Sequence, residues 1–456
     1  MGKDSAQHAV STMLFRSTFA VPFLTTLGLL IGGAAHAQVP IATATAGDSL
    51  TLETTVRSVL DANPAINALQ EEVNQAQSRL DQTRTYLRPV VTGTASYTRI
   101  DPVVQIPLGD VTFQLAPANN YDTHIAAQYT LLDFGRANAA IEAARSRTLT
   151  AADQINVTRR DLAFAAAQSY YSILFAREAI RVQDAQIASL RQHQREMEKR
   201  VQGGVSTQFD VTTTQVRIAQ AQDRRIDLQN QLRNQEIQLA RLLHRPEGEV
   251  VPVRGRFEYN PQAVNVAEAL NKGAENRPEV KLAKDAEQTA TAQLRVAETS
   301  NKPSLNILAQ AGGKNGYIVP NLERFRFNTV AGAQLSIPIY DGGRNHYERV
   351  TAQSAIKGAQ ARTQDTQEQV RADVLQAVNN MQTSTARYDN SEVQIAQATD
   401  ALTRAKSRYR YGVGNNLDVL DAETQLAQSR LSRLQSIFNY TIGQYQLKRA
   451  TGDQIW

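Results

Sequence analysis

Cysteine is absent from all 456 residues, which excludes disulfides, thiolate metal sites, cysteine nucleophiles and a lipidated N-terminal cysteine. Aromatic residues make up only 6% of the chain against a hydrophobic content of 42%, and tryptophan occurs once. Alanine and glutamine are abundant instead, a composition suited to long thin helical bundles rather than a thick globular core. Residues 136–202 contain neither glycine nor proline, and residues 344–411 hold one glycine and no proline. Past the N-terminal segment no stretch is long and apolar enough for a transmembrane helix, so entry into a membrane would have to be as a β-barrel. Charge of one sign is never concentrated. The net charge is +5, and basic residues run no longer than pairs such as Arg159-Arg160, which argues against nucleic acid as a partner.

The N-terminus reads as a secretory signal over residues 1–37. Lys3 and Arg16 supply positive charge, Phe19 to Gly33 form an apolar core, and Ala35-His36-Ala37 fits a cleavage site. The apolar run is shorter than the roughly 20 residues a membrane span needs, and Pro22 interrupts it. The mature chain is therefore expected outside the cytoplasm. Of its histidines, His124, His193, His244 and His346 stand isolated in sequence. There is no His-Glu-x-x-His, no Gly-x-Ser-x-Gly and no paired carboxylate pattern, so neither an enzyme nor a cofactor is expected.

The chain is written twice. "LLDFGR" ending at Arg136 resembles "IYDGGR" ending at Arg344, with Asp133 and Asp341 208 positions apart. At the same offset "RVQGGVSTQFDV" from Arg200 matches "RYRYGVGNNLDV" from Arg408, pairing Gly204 with Gly412, Val205 with Val413 and Asp210 with Asp418. Upstream the offset is 214, which pairs Pro64 with Pro278 and Pro89 with Pro303. A shared spacing over whole halves marks a duplication. The halves are read as residues 38–244 and 245–456, the second preceded by a linker over 245–277.

Each half predicts one order of elements. A helix of about 24 residues opens at the proline, which suits a first helical position. Two alternating segments follow, 90–98 and 123–131 in the first half, 304–312 and 329–337 in the second, with residues 100–121 and 312–327 as joining loops. Tyr97, Tyr121, Tyr129, Tyr317, Phe325, Phe327 and Tyr340 border these strands, as girdles or through plain strand propensity. The Gly- and Pro-poor stretches then predict helices of about 100 Å each. Ile155, Leu162, Ala166, Ile173, Leu190 and Met197 hold a seven-residue seam, repeated as Val370, Val374, Ala377, Met381, Ala398 and Leu402. After a glycine turn, returning helices are expected over 207–244 and 415–450. Short and returning helices together nearly match the length of the long helix, so they could lie alongside it. Four strands cannot close a barrel, and open edges invite pairing, so several chains sharing one barrel are implied.

The signal, the duplicated halves, the two Asp-x-Gly-Arg sites (Asp133, Gly135, Arg136; Asp341, Gly343, Arg344) and "YGVGNNLDVLDA" together resemble the TolC family of outer-membrane efflux proteins, over about residues 50–450. Lacking a cysteine, the chain would belong to its non-lipidated branch. The resemblance implies a mainly α fold with membrane β. Three protomers would each give four strands to a shared 12-stranded barrel continued by a long periplasmic α-helical barrel. It implies a passive homotrimeric exit duct in the outer membrane of a Gram-negative bacterium, in contact with outer-membrane lipid. The duct would serve a periplasmic adaptor and an inner-membrane pump or ABC exporter, for efflux or type I secretion. Asp418 and Asp421 match an acidic ring at the periplasmic aperture, Asp210 is their first-half relative, and Tyr409 matches a tyrosine of the closing network. The turns at Gly204-Val205 and Gly412-Val413-Gly414 are the implied adaptor-docking tips. Gly414 falls where the best-known member carries a basic latch residue, so the chain lacks that latch as written.

Blander alternatives exist for these residues. Asp418 and Asp421 both read as lying in the first turn of a helix, where carboxylates stabilise the N-terminus by about 0.3–1 kcal/mol each. Gly412 and Gly414 do not read as a phosphate loop, because a long helix precedes them and no lysine follows closely. A periplasmic coiled-coil adaptor is the rival for the whole chain, although an adaptor would carry one hairpin rather than two equivalent ones.

Overall fold

The computed structural model describes residues 50–455 apart from 110, 247–250 and 319–320, so the signal expected over 1–37 lies outside the described residues. Helix α1 (Leu52–Ala62) opens on a capping box made by Thr51 and Thr54. Helix α2 (Pro64–Arg84) starts on its proline, with the Asn63 side chain accepting from the Ala65 amide. Strand β1 (Val90–Arg99), the hairpin β2 (Gln105–Leu108) and β3 (Val111–Gln114), and strand β4 (Asn119–Leu132) follow. Then come α3 (Arg136–Gln202), of 67 residues, and α4 (Gln208–Leu242). The second half repeats the plan with α5 (Val266–Asn276), α6 (Pro278–Thr299), β5 (Ser304–Lys314), β6 (Arg326–Ser336), the 67-residue α7 (Arg344–Arg410) and α8 (Asn416–Thr451).

Two expectations need correction. The loop expected over 100–121 contains the β2–β3 hairpin, and β4 begins at Asn119. The 245–277 linker contains α5, an amphipathic helix that packs on α7 and α8, as its first-half counterpart α1 packs on α3. The long helices, their seam and the returning helices lie where the sequence puts them. Ala166, Ile173, Leu190 and Met197 on α3, and Val370, Val374, Ala377 and Met381 on α7, are all buried.

The strand order is β1–β4–β5–β6, antiparallel throughout. Register places Val91, Ala95, Ile125, Ala127, Ile307, Ala309, Ala331 and Leu335 on one face. That face carries no charge except Arg99, at the end of β1 remote from the helices. The opposite face holds Thr92, Thr94, Asp122, His124, Gln128, Asn306, Gln310, Asn328 and Gln334. Asp122, His124, Arg326 and Asn328 are half-buried while Thr123, Ile125, Phe327 and Thr329 are exposed, so the polar face is the concave one.

Helices follow the same lateral order. Along α3 lie α2, then α1 and α4, on one side and α6 and α8 on the other; α7 packs on α6, α5 and α8. Alanines at 163, 166, 167, 176 and 179 are fully buried and let the backbones approach closely. The thickest core sits midway along α3, where Val56, Val59, Tyr170, Ile173, Leu239 and Val251 meet, and Leu50 bridges Val253.

Candidate functional site at the helical tips

The strand-to-helix junctions set the direction of the long helices. Gly135 and Gly343 adopt left-handed backbone at φ 90° and 85°, the region open to glycine. Asp133 accepts from the amides of Gly135 and Ala137 at 3.0 and 2.6 Å, and Asp341 from those of Gly343 and Asn345 at 2.9 Å each. The amides of Asn345 and Gly343, with Arg344 nearby, hold the Asp341 carboxyl below its usual range. Arg136 donates to the carbonyls of Ser300 at 2.9 Å and Lys302 at 2.7 Å, fastening α3 to the end of α6. Among the described residues, the one ion pair of Arg344 is an exposed one with Glu348 at 3.5 Å.

At the opposite end the two turns share one geometry. Gly204 at φ 73° and Gly412 at φ 77° take the left-handed position, and the amides of Val205 and Val413 return to the carbonyls of Arg200 and Arg408 at 2.9 Å. Val205, Phe209, Tyr411, Val413 and Leu417 are exposed, which leaves a small apolar patch on each tip. Gly414 sits against Arg408, where a Cβ would lie 3.0 Å from the Arg408 Cβ.

The acids of the tips do different work. Asp210 closes a capping box with Thr207 and also accepts from the Ser206 hydroxyl at 2.9 Å. Partial burial opposes its charge, but the Thr207 amide, the two hydroxyls and His193 outweigh it and hold the carboxyl below its ordinary value. Asp418 forms the matching box with Asn415, whose side chain accepts from the Asp418 amide at 2.7 Å. Asp421 is not a cap; it accepts from Arg217 of α4 at 2.9 Å.

Just above the turns, groups some 200 residues apart in sequence converge. The Tyr409 hydroxyl lies 3.1 Å from the Ser206 hydroxyl and 2.8 Å from the Met197 sulfur, and the Arg200 guanidinium sits 4.9 Å over its ring. Arg200 also donates to the carbonyls of Tyr409 and Arg410 at 3.0 and 2.7 Å. Buried His193 meets the Asn416 amide oxygen at 2.7 Å, and the Asn416 nitrogen donates to the Asp210 carbonyl at 3.0 Å. One turn higher, buried Glu423 accepts from Lys406 at 2.6 Å and from the Ser189 hydroxyl. Sequence reasoning missed Arg200, Arg217, Asn416 and Glu423 and took His193 as isolated. Gly414 supplies no charge, and the ion pair linking the two hairpins here is Arg217–Asp421. Among the described residues no group of three or more His, Asp or Glu could hold a metal ion.

A four-stranded sheet with one face uncharged but for Arg99, continued by two long hairpins that close on each other at their tips, is the protomer architecture of an outer-membrane channel. The chain belongs to the outer membrane efflux protein family, whose profile matches residues 55–244 and 269–453. It is 25% identical over 299 residues to the outer membrane protein TolC of Escherichia coli, across 63% of this chain and 60% of that relative's length. It is 23% identical over 399 residues to the cobalt-zinc-cadmium resistance protein CzcC of Cupriavidus metallidurans, across 87% and 88% of the two chains. In fold it resembles the solved outer membrane protein VceC of Vibrio cholerae, with a TM-score of 0.74 at 20% identity, across 89% of this chain and 97% of that one.

Proposed function

We propose that three copies of this chain close into a passive outer-membrane exit duct for an efflux pump or a type I secretion system. The carrying observation is lateral incompleteness. Among the described residues the sheet ends on the unpaired edges of β1 and β6. The helical layer ends on α4, with Val216, Ile226 and Ile237 exposed, and on α7, with Val350, Leu375 and Val393 exposed. A second copy added in the same sense joins β6 to β1 antiparallel and sets α7 beside α2 and α4. Such a head-to-tail contact must close into a ring or run on as a filament. Three copies give 12 strands, with the apolar face outward to lipid and the concave polar face around water.

On this reading residues 1–37 direct export, and residues 38–244 and 245–456 are the two structural repeats. The tips form the periplasmic gate, built from Asp210, Tyr409, Asp418 and Asp421, and their exposed apolar patches dock a periplasmic adaptor. Energy and substrate choice belong to an inner-membrane pump or ABC exporter, and the duct itself performs no catalysis. Membrane fractionation with heat-modifiable migration tests this. A trimer in the outer membrane supports the duct, whereas a soluble periplasmic monomer supports the adaptor alternative and overturns it.

A further inference from the structure

The concave face of the sheet is mostly neutral, with one exception near the end remote from the helices. One cross-strand row there reads Ser96, Asp122, Lys314, Arg326, since Ser96 pairs with Asp122, Asp122 with Lys314 and Lys314 with Arg326. Like charges directly opposite one another destabilise a sheet, so the Lys314–Arg326 neighbours cost the fold something. Compensation is meagre. Asp122 is engaged by His124, whose Nδ1 lies 2.9 Å from its carboxylate. Lys314 rests 5.2 Å over the Tyr317 ring, and the Arg326 Nε is buried without a hydrogen-bond partner. Among the described residues neither cation has a carboxylate within ion-pair distance. The loop beyond is pinned over this row: buried Asn315 accepts from the Tyr121 amide and donates to the Asn119 carbonyl, both at 2.7 Å. Both cations stand half-buried on the water-facing side of the sheet.

We infer that Lys314 and Arg326 form a basic collar inside the outer mouth of the duct, which concentrates and binds anions such as phosphate and carboxylate groups. The inference rests on the exit-duct reading. In a trimer the row carries six cations against three Asp122 carboxylates. A ring with a net excess of one sign between low-dielectric walls raises the local concentration of counter-ions by about ten-fold or more. The two ends of the duct then have opposite preferences, acidic at the tips and basic at the mouth. A solute leaving the duct passes from a cation-attracting constriction to an anion-attracting one.

The test is side-specific block of full-length trimers in planar bilayers. Inorganic tripolyphosphate is added from the barrel side and, separately, from the tip side, to the native protein and to the Lys314→Gln/Arg326→Gln pair, each confirmed as a heat-modifiable trimer. Block of the native channel should be stronger from the barrel side, and the variant should need about ten-fold more tripolyphosphate for half-block. The single variants should fall between. Equal block of native and variant trimers that both conduct overturns the collar and leaves the duct reading standing. A folded trimer that carries no current overturns the duct reading, and the collar with it. Should the double variant fail to trimerise, Lys314→Arg and Arg326→Lys supply the second measurement: each keeps its charge and should keep the block, and loss of block in either overturns the proposal.

Discussion

At the residue scale, the tip acids that look alike in sequence hold different partners. Asp210 and Asp418 are tied into capping boxes, whereas Asp421 reaches across to Arg217. Arg217→Ala should therefore leave both helix caps intact while loosening α4 from α8, and single-channel recording should show a larger mean conductance. Asp418→Ala together with Asp421→Ala should weaken block by multivalent cations and raise conductance at low pH; unchanged cation block would remove these residues from the constriction. Asp210→Ala loses its box and the Ser206 contact, at a cost of about 1 kcal/mol to the start of α4. Because the folded protein holds the Asp210 carboxyl below its ordinary value, that contribution is present above pH about 4 and is lost as pH falls through the lowered value. The helix-start role of Asp418 was legible in the sequence, but the pairing of Asp421 with Arg217 was not. Arg200, Tyr409, His193 and Asn416 meet only because α3, α4, α7 and α8 converge, and repeat matching aligns equivalent residues rather than residues in contact.

At the element scale, the duplicated Asp-x-Gly-Arg looks symmetric, and its two copies do unequal work. Both aspartates cap and both glycines turn, but only Arg136 fastens a long helix to its neighbour. Arg136→Ala should cost about 2 kcal/mol and lower the trimer's melting temperature, whereas Arg344→Ala should cost about 0.5 kcal/mol or less. A second asymmetry lies between α3 and α6. Asp153 is buried and bonded to Lys281 at 2.8 Å, with the Asp285 carboxyl beside it. The neighbouring Asp153, together with burial, raises the Asp285 carboxyl to about 6, while Asp153 is lowered. A raised carboxyl stabilises the folded chain most below its unfolded value, and the contribution fades as pH climbs through about 6. Melting followed from pH 5 to pH 8 should show this loss, and Asp285→Asn should flatten it. Which elements exist was largely legible. Absence of glycine and proline marked α3 and α7, and the seven-residue seam marked their buried face. Helices α1 and α5 escaped because 11 residues ahead of Asn63-Pro64 and Arg277-Pro278 read as plain linker. The β2–β3 hairpin escaped because glycine- and proline-rich segments read as loop.

At the scale of the whole molecule, the protomer is a slice. Its sheet has two open edges, its helical layer has an apolar flank at each side, and its two sheet faces suit two different solvents. The sequence already implied an incomplete barrel through its strand number, but not which edges meet, because that depends on the observed order β1–β4–β5–β6. The order makes closure specific: β6 of one copy must lie antiparallel to β1 of the next. The natural absence of cysteine makes this directly measurable. Thr94→Cys on β1 is combined in turn with Asn328→Cys, Val330→Cys and Gly332→Cys on β6, and outer membranes are oxidised before denaturing electrophoresis. At least one pair should give covalent dimers and trimers, with no larger species and no product from either single cysteine. Monomers alone across the whole scan, from a chain that fractionates with soluble periplasmic protein, would contradict the shared barrel.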